Sequence, residues 1–142
     1  MPHKHNFFKR IEAFNAMYKM ESIPKDQTNM ARRLFDFRAM LEDEMREGQD
    51  ISSELRFGMH DADLDKARVM MADWLGDIIV YCASEALRWG IPIEQVLEII
   101  MDSNASKLQA DGTALFVAGK LQKGPNYWKP EPKIEQLLKG EE

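Results

Sequence analysis

Two acidic stretches could do chemistry together: Glu42-Asp43-Glu44-Met45-Arg46-Glu47, and Asp73-Trp74-Leu75-Gly76-Asp77. Residues three or four apart share a helix face. Glu44 lies four after Met40 and three after Leu41, and Glu47 is three further on, so both acids continue the apolar stripe Phe37, Met40, Leu41. Asp73 lies four after Val69 and three after Met70. Asp77 follows four later, and Val80 and Tyr81 carry that stripe onward. Acids normally occupy the solvated face, and an unpaired buried charge is very costly. The sequence offers few cations to pair with Glu44, Glu47, Asp73 and Asp77. A divalent cation is the simplest compensation, and oxygen-only ligands favour Mg²⁺, or Mn²⁺, over zinc.

Two further groups carry functional side chains. Asn104 and Lys107 extend the stripe Ile93, Val96 or Leu97, Ile100 or Met101. An amide and an ammonium there suit a phosphate or a ligand hydroxyl, although Lys is also favoured at any helix C-terminus. The segment from Lys120 through Lys123, Tyr127 and Trp128 to Pro132 mixes lysines with aromatics. It reads either as a clamp for phosphates and a base, or as a proline-fixed tail packing its aromatics on the helices. Asp61, Asp63 and Asp65 resemble a calcium loop but lack its glycine and closing glutamate, so they mark a helix start. His3, His5 and His60 have no helical metal spacing. No glycine-rich phosphate loop, Ser-His-Asp or Cys-His arrangement is present.

Helices must position these groups. Phe7, Ile11, Phe14 and Tyr18 predict a first helix over about 5–20. Asp26 or Thr28 caps a second, about 28–47, that stops near Gly48. Residues 48–62 read as a loop, with a helical turn at 52–57. Asp61 or Asp63 starts a long helix over about 63–89, apolar nearly all round at its centre, as expected of a central or interfacial helix. Gly90 stops it, and Pro92 starts a fourth over about 92–107. Residues 108–131 read as an extended loop, with a small hairpin at 113–121, before a short helix at 133–139. The expectation is an all-α fold of four main helices in a bundle: one domain with a core over about 5–108 and a C-terminal loop and tail over 109–142.

Composition narrows the function classes. With 142 residues, 44% hydrophobic and 30% charged, the chain suits a globular domain. Residues 36–77 hold 12 acids against 5 bases, which suits cations better than a nucleic-acid polymer. The basic N-terminal part reads as a solvated surface. Cys82 is the only cysteine, so no intramolecular disulfide forms. No signal-peptide pattern or membrane-spanning run is evident. A cytoplasmic protein without membrane partners is expected.

In their order, these motifs resemble the all-α NTP pyrophosphohydrolases, which include MazG-like proteins, dimeric dUTPases and phosphoribosyl-ATP pyrophosphohydrolases. That family carries E-x-x-E on one helix and E-x-x-D on the next. Asp43-Glu44-Met-Arg-Glu47 and Asp73-Trp-Leu-Gly-Asp77 are similar to the two motifs, and Gly90-Ile-Pro follows. Asp102-Ser-Asn104-Ala-Ser-Lys107-Leu resembles the family's S-N-x-S-K-L, and Lys123-Gly-Pro-Asn-Tyr-Trp128 resembles a tail of one MazG-like branch. The second motif departs from the pattern, because Trp74 stands three before Asp77 and Asp73 is the nearest acid. The resemblance implies hydrolysis of a nucleoside triphosphate to a monophosphate and pyrophosphate. It implies Mg²⁺ on Glu44, Glu47 and Asp77 with Asp73 in support, and Glu44 or Glu47 as proton acceptor. Asn104, Lys107 and Lys123 are then substrate-binding, and Trp74 limits the nucleotide pocket. It also implies pairing through the central helix, hence a homodimer or homotetramer. A non-catalytic nucleotide-binding module and a phosphoribosyl-ATP pyrophosphohydrolase are the alternatives.

Overall fold

The computed structural model describes residues 6–58, 60 and 63–140. His3, His5 and Asp61 lie outside the described residues. Among the described residues, five helices and one two-stranded sheet make an all-α fold: α1 (Phe7–Met17), α2 (Gln27–Phe57), α3 (Leu64–Arg88), α4 (Ile93–Ala105), β1 (Phe116–Val117), β2 (Lys120–Leu121) and α5 (Glu131–Leu138). The chain divides into two compact units, Met1–Gly90 and Ile91–Glu142.

The first unit is built on α3, against which both α1 and α2 pack. Asp26 caps α2, its carboxylate accepting from the Asn29 backbone N–H at 2.9 Å. Asp63 stands at the N-cap of α3 without a side-chain capping bond. Gly90 ends α3 in the left-handed region (φ 71°), its N–H donating to the Leu87 carbonyl; only glycine takes that conformation without strain. The expected stop at Gly48 does not occur. α2 continues through it to Phe57, so the segment read as a loop is helix. A lone glycine costs a helix only about 1 kcal/mol against alanine, and Ile51 and Leu55 keep the apolar spacing running. No helix among the described residues is long and apolar enough to cross a membrane.

A polar knot holds the first unit at the C-terminal half of α3. Glu85 is buried between small neighbours, Ala83 and Ala86. Arg33 of α2 donates to it through Nε, at 3.1 and 2.9 Å, and through Nη2, at 2.6 Å. Trp89 Nε1 adds a bond of 3.0 Å. Next to it, Ser84 Oγ donates to Asn15 Oδ1 at 2.6 Å, and Asn15 Nδ2 donates to the Ser84 carbonyl at 3.1 Å, which joins α1 to α3. Ile23 N–H donates to the Arg88 carbonyl, tying in the α1–α2 connection. The Glu85 charge is therefore fully compensated, and the pairing raises the Arg33 guanidinium further above its already high pKa.

In the second unit, α4 and α5 pack together, and β1 and β2 form the small antiparallel hairpin, with Phe116 opposite Leu121 and Val117 opposite Lys120. Pro92 is the N-cap of α4 rather than its first helical residue.

Removing one partner of a buried ion pair strands the other. Glu85→Ala should lower the unfolding free energy by about 3 kcal/mol, read as a shift in urea midpoint. An unchanged midpoint would refute this account of the knot.

Candidate functional site

The α2–α3 interface holds all four candidate acids. Glu44 is half-buried, while Glu47, Asp73 and Asp77 are exposed. One oxygen of Glu44, Oε2, is buried with no hydrogen-bond partner among the described residues. Burial above all raises the Glu44 pKa; the charge and closeness of the Glu47 carboxyl and the charges of Asp77 and Asp43 add to it. None of Glu44, Glu47, Asp73 or Asp77 is ion-paired among the described residues, whereas neighbouring Asp43 pairs with Arg46 at 2.8 Å. Repulsion at this point of the interface is thus left without a protein cation.

Trp74 sets the distance between the helices here. Its indole Nε1 donates to the backbone carbonyl of Glu44 at 2.6 Å. The ring lies so close over Gly48 that a Cβ there would collide with Trp74 Cζ2 and stand 2.8 Å from Cε2. Trp74 also lines a cleft of about 260 Å³ with Glu47, Asp50, Ile51, Glu54, Met70 and Asp73. The acids therefore form two overlapping sets. Glu44 meets the charges of Glu47 and Asp77, and Asp73 lines the cleft that Glu47 shares with Asp50 and Glu54. Sequence reasoning missed Asp50 and Glu54 because it ended α2 at Gly48. The spacing 47, 50, 51, 54 is helical and could have revealed them.

This donor set fits a hard divalent cation in its chemistry: carboxylate oxygens, one of them buried and partnerless, with no ammonium or guanidinium ion-paired to any of the four acids among the described residues. The ligand shell is not assembled in advance. Among the described residues, no group of three or more His, Cys, Asp or Glu stands ready to hold a metal ion.

The second unit gathers the other candidates. Buried Ser103 donates through Oγ to the Trp128 carbonyl at 2.9 Å. Ser106 Oγ donates to the Ser103 carbonyl at 2.6 Å and accepts from Trp128 N–H at 3.2 Å. Gly124 N–H donates to the Lys107 carbonyl at 2.9 Å, and a side chain at Gly124 would collide with the Leu108 carbonyl. The serines around Asn104 thus strap the 123–128 segment onto the end of α4. The strap brings Lys107 and Lys123 to one ring, with Nζ 5.9 and 5.0 Å from the Tyr127 centroid. Asn104 is exposed beside them in sequence. Lys133 covers Trp128 at 4.1 Å. Tyr127 and Trp128 each bind lysine, so the proline-rich tail packs its aromatics and presents cations together.

No family model, no curated protein and no solved structure matches the chain.

Two outcomes follow from this geometry. Alanine normally improves a helix, but Gly48→Ala should destabilise the protein by roughly 1–3 kcal/mol, the usual cost of overpacking. Thermal denaturation reads it, and a stabilised variant would show that Trp74 does not set the spacing. Because the folded state favours protonated Glu44, the stability this contributes is present below the ordinary carboxylate range and is lost as pH rises through the raised pKa. Urea midpoints in EDTA should fall across that window, and Glu44→Gln should flatten the fall.

Proposed function

We propose that the protein is a Mg²⁺-dependent nucleoside triphosphate pyrophosphohydrolase that acts on the cytoplasmic nucleotide pool, as an all-α NTP pyrophosphohydrolase of the MazG-like kind. The observation that carries this reading is the partnerless buried oxygen of Glu44, set among mutually repelling acids on two helices that Trp74 clamps together. Glu44, Glu47 and Asp77 would hold Mg²⁺ or Mn²⁺, with Asp73 in support from the adjoining cleft. When bound, the cation supplies neutralisation of phosphate charge and a more acidic water.

The remaining steps belong to the chain. Glu44 or Glu47 accepts the proton of the attacking water. The water oxygen joins the α phosphorus, the α–β bridging bond breaks, and pyrophosphate leaves with the bridging oxygen. The nucleoside monophosphate remains. Trp74 walls the acidic cleft; within the second unit, Lys107 and Lys123, held at Tyr127, present cations whose chemistry suits phosphate, with Asn104 near them in sequence. A homodimer or homotetramer accords with the exposed apolar row on α3, Met71, Leu75, Ile79 and Cys82. The unassembled ligand shell supports a second reading, a nucleotide-binding module of the same fold without turnover.

Pyrophosphate release over a panel of canonical and modified dNTPs, with Mg²⁺ or Mn²⁺, tests the reading. Glu44→Gln and Asp77→Asn should each lower turnover by about a hundredfold or more. Mg²⁺ should raise the melting temperature of the wild type and not that of either variant. No pyrophosphate from any nucleotide, together with nucleotide-dependent stabilisation, would transfer the case to the binding module. Light scattering that finds only monomer would remove the oligomer.

A further inference from the structure

A partly open pocket of about 150 Å³ lies between the helices of the first unit. Phe14 of α1, Phe37 and Met40 of α2, and Val80 and Tyr81 of α3 supply much of its apolar wall. Arg33, Ser84 and Glu85 supply the polar one. An apolar cavity with a few convergent polar groups is the usual form of a small-molecule site. Its position gives it direction. Met40 is four residues before Glu44, and Tyr81 four after Asp77. On both helices the cavity therefore begins one turn, about 6 Å of helix rise, from the acids. A ligand with an anionic end at the acids would place its other end here, about one sugar away.

The polar wall is biased towards donors. Glu85 is saturated by Arg33 and Trp89. Arg33 uses Nε and Nη2 on it, and Nη1 holds no hydrogen bond among the described residues. Tyr81, an exposed residue at the pocket, has a hydroxyl with no hydrogen bond among the described residues. Unspent donors favour a base edge made of acceptors, and a buried amino group would find little to accept its hydrogens.

We infer that this cavity, with Arg33 held in place by Glu85, receives the nucleobase and selects bases that present carbonyl oxygens over adenine. The inference rests on the pyrophosphohydrolase reading for the location of the phosphates. Arg33 is here a specificity residue, because guanidinium donors read base acceptors directly.

Calorimetric titration of the full chain tests it, in Mg²⁺, with α,β-methylene analogues of dUTP, dGTP and dATP and with inorganic tripolyphosphate. The dUTP and dGTP analogues should bind at least about tenfold more tightly than the dATP analogue, which should approach tripolyphosphate. Val80→Phe fills the cavity and should bring every nucleotide to the tripolyphosphate level. Met40→Phe plugs the opposite wall if the first variant does not fold. Arg33→Lys keeps the charge opposite Glu85 and should erase the preference among bases. Equal binding of all three analogues, or a preference that survives both plugs, would overturn the inference.

The controls separate the two proposals. Tripolyphosphate that binds and is lost in Glu44→Gln, with nucleotides binding no tighter, sinks the cavity and leaves the acid site standing. Nucleotides that bind in a plug-sensitive way, with no tripolyphosphate binding, sink the acid site and support the cavity.

Discussion

The contact of Trp74 with Gly48 fixes how closely α2 and α3 approach, and the site depends on that spacing. An indole laid on a backbone without a Cβ brings the helices together over one turn. Its N–H donates to a carbonyl already inside the α2 hydrogen-bond ladder. Such a clamp holds Glu44 of α2 near Asp77 of α3 although their charges oppose it. Trp74, three residues before Asp77, is therefore a clamp between the helices, and in the proposed metal site the acids beside Glu44, Glu47 and Asp77 would come from Asp73, Asp50 or Glu54.

The sequence made the helices legible because their apolar spacing is strong and their ends carry local chemistry, as at Asp26 and Gly90. It misled at Gly48. Read locally, a glycine after an acidic run is a stop; its actual partner, Trp74, lies on another helix, and no local pattern announces that. Asp50 and Glu54 were hidden by the same error. That Glu44 meets the charges of Glu47 and Asp77 at the α2–α3 contact was legible because each continues a stripe. Glu85 was not, although it lies four after Tyr81 on the same face, because its guanidinium partner stands 52 positions away in the sequence. In the tail, the type of packing was legible and the strap was not. The serines of Ser103-Asn-Ala-Ser106 look like ligand residues beside Asn104, and they spend their hydroxyls on the backbone.

Two half-buried or buried glutamates at the same helix interface make the functional argument sharper. Glu85 receives donors from Arg33 and Trp89, so its burial costs little and its role is explained by the fold. Glu44 has a buried oxygen with no donor and carboxylates for neighbours. Folding alone gives no reason to place a second charge there. The site can lower its energy by taking up a proton, which the raised pKa shows, or by taking up a cation. In the proposed metal site, a divalent cation at Glu44 would offset the charges of Glu47 and Asp77 there, which a single proton only reduces. The same interface thus contains one buried carboxylate with its donors and one with an oxygen that has none, and the second is where the proposed ligand would gain energy.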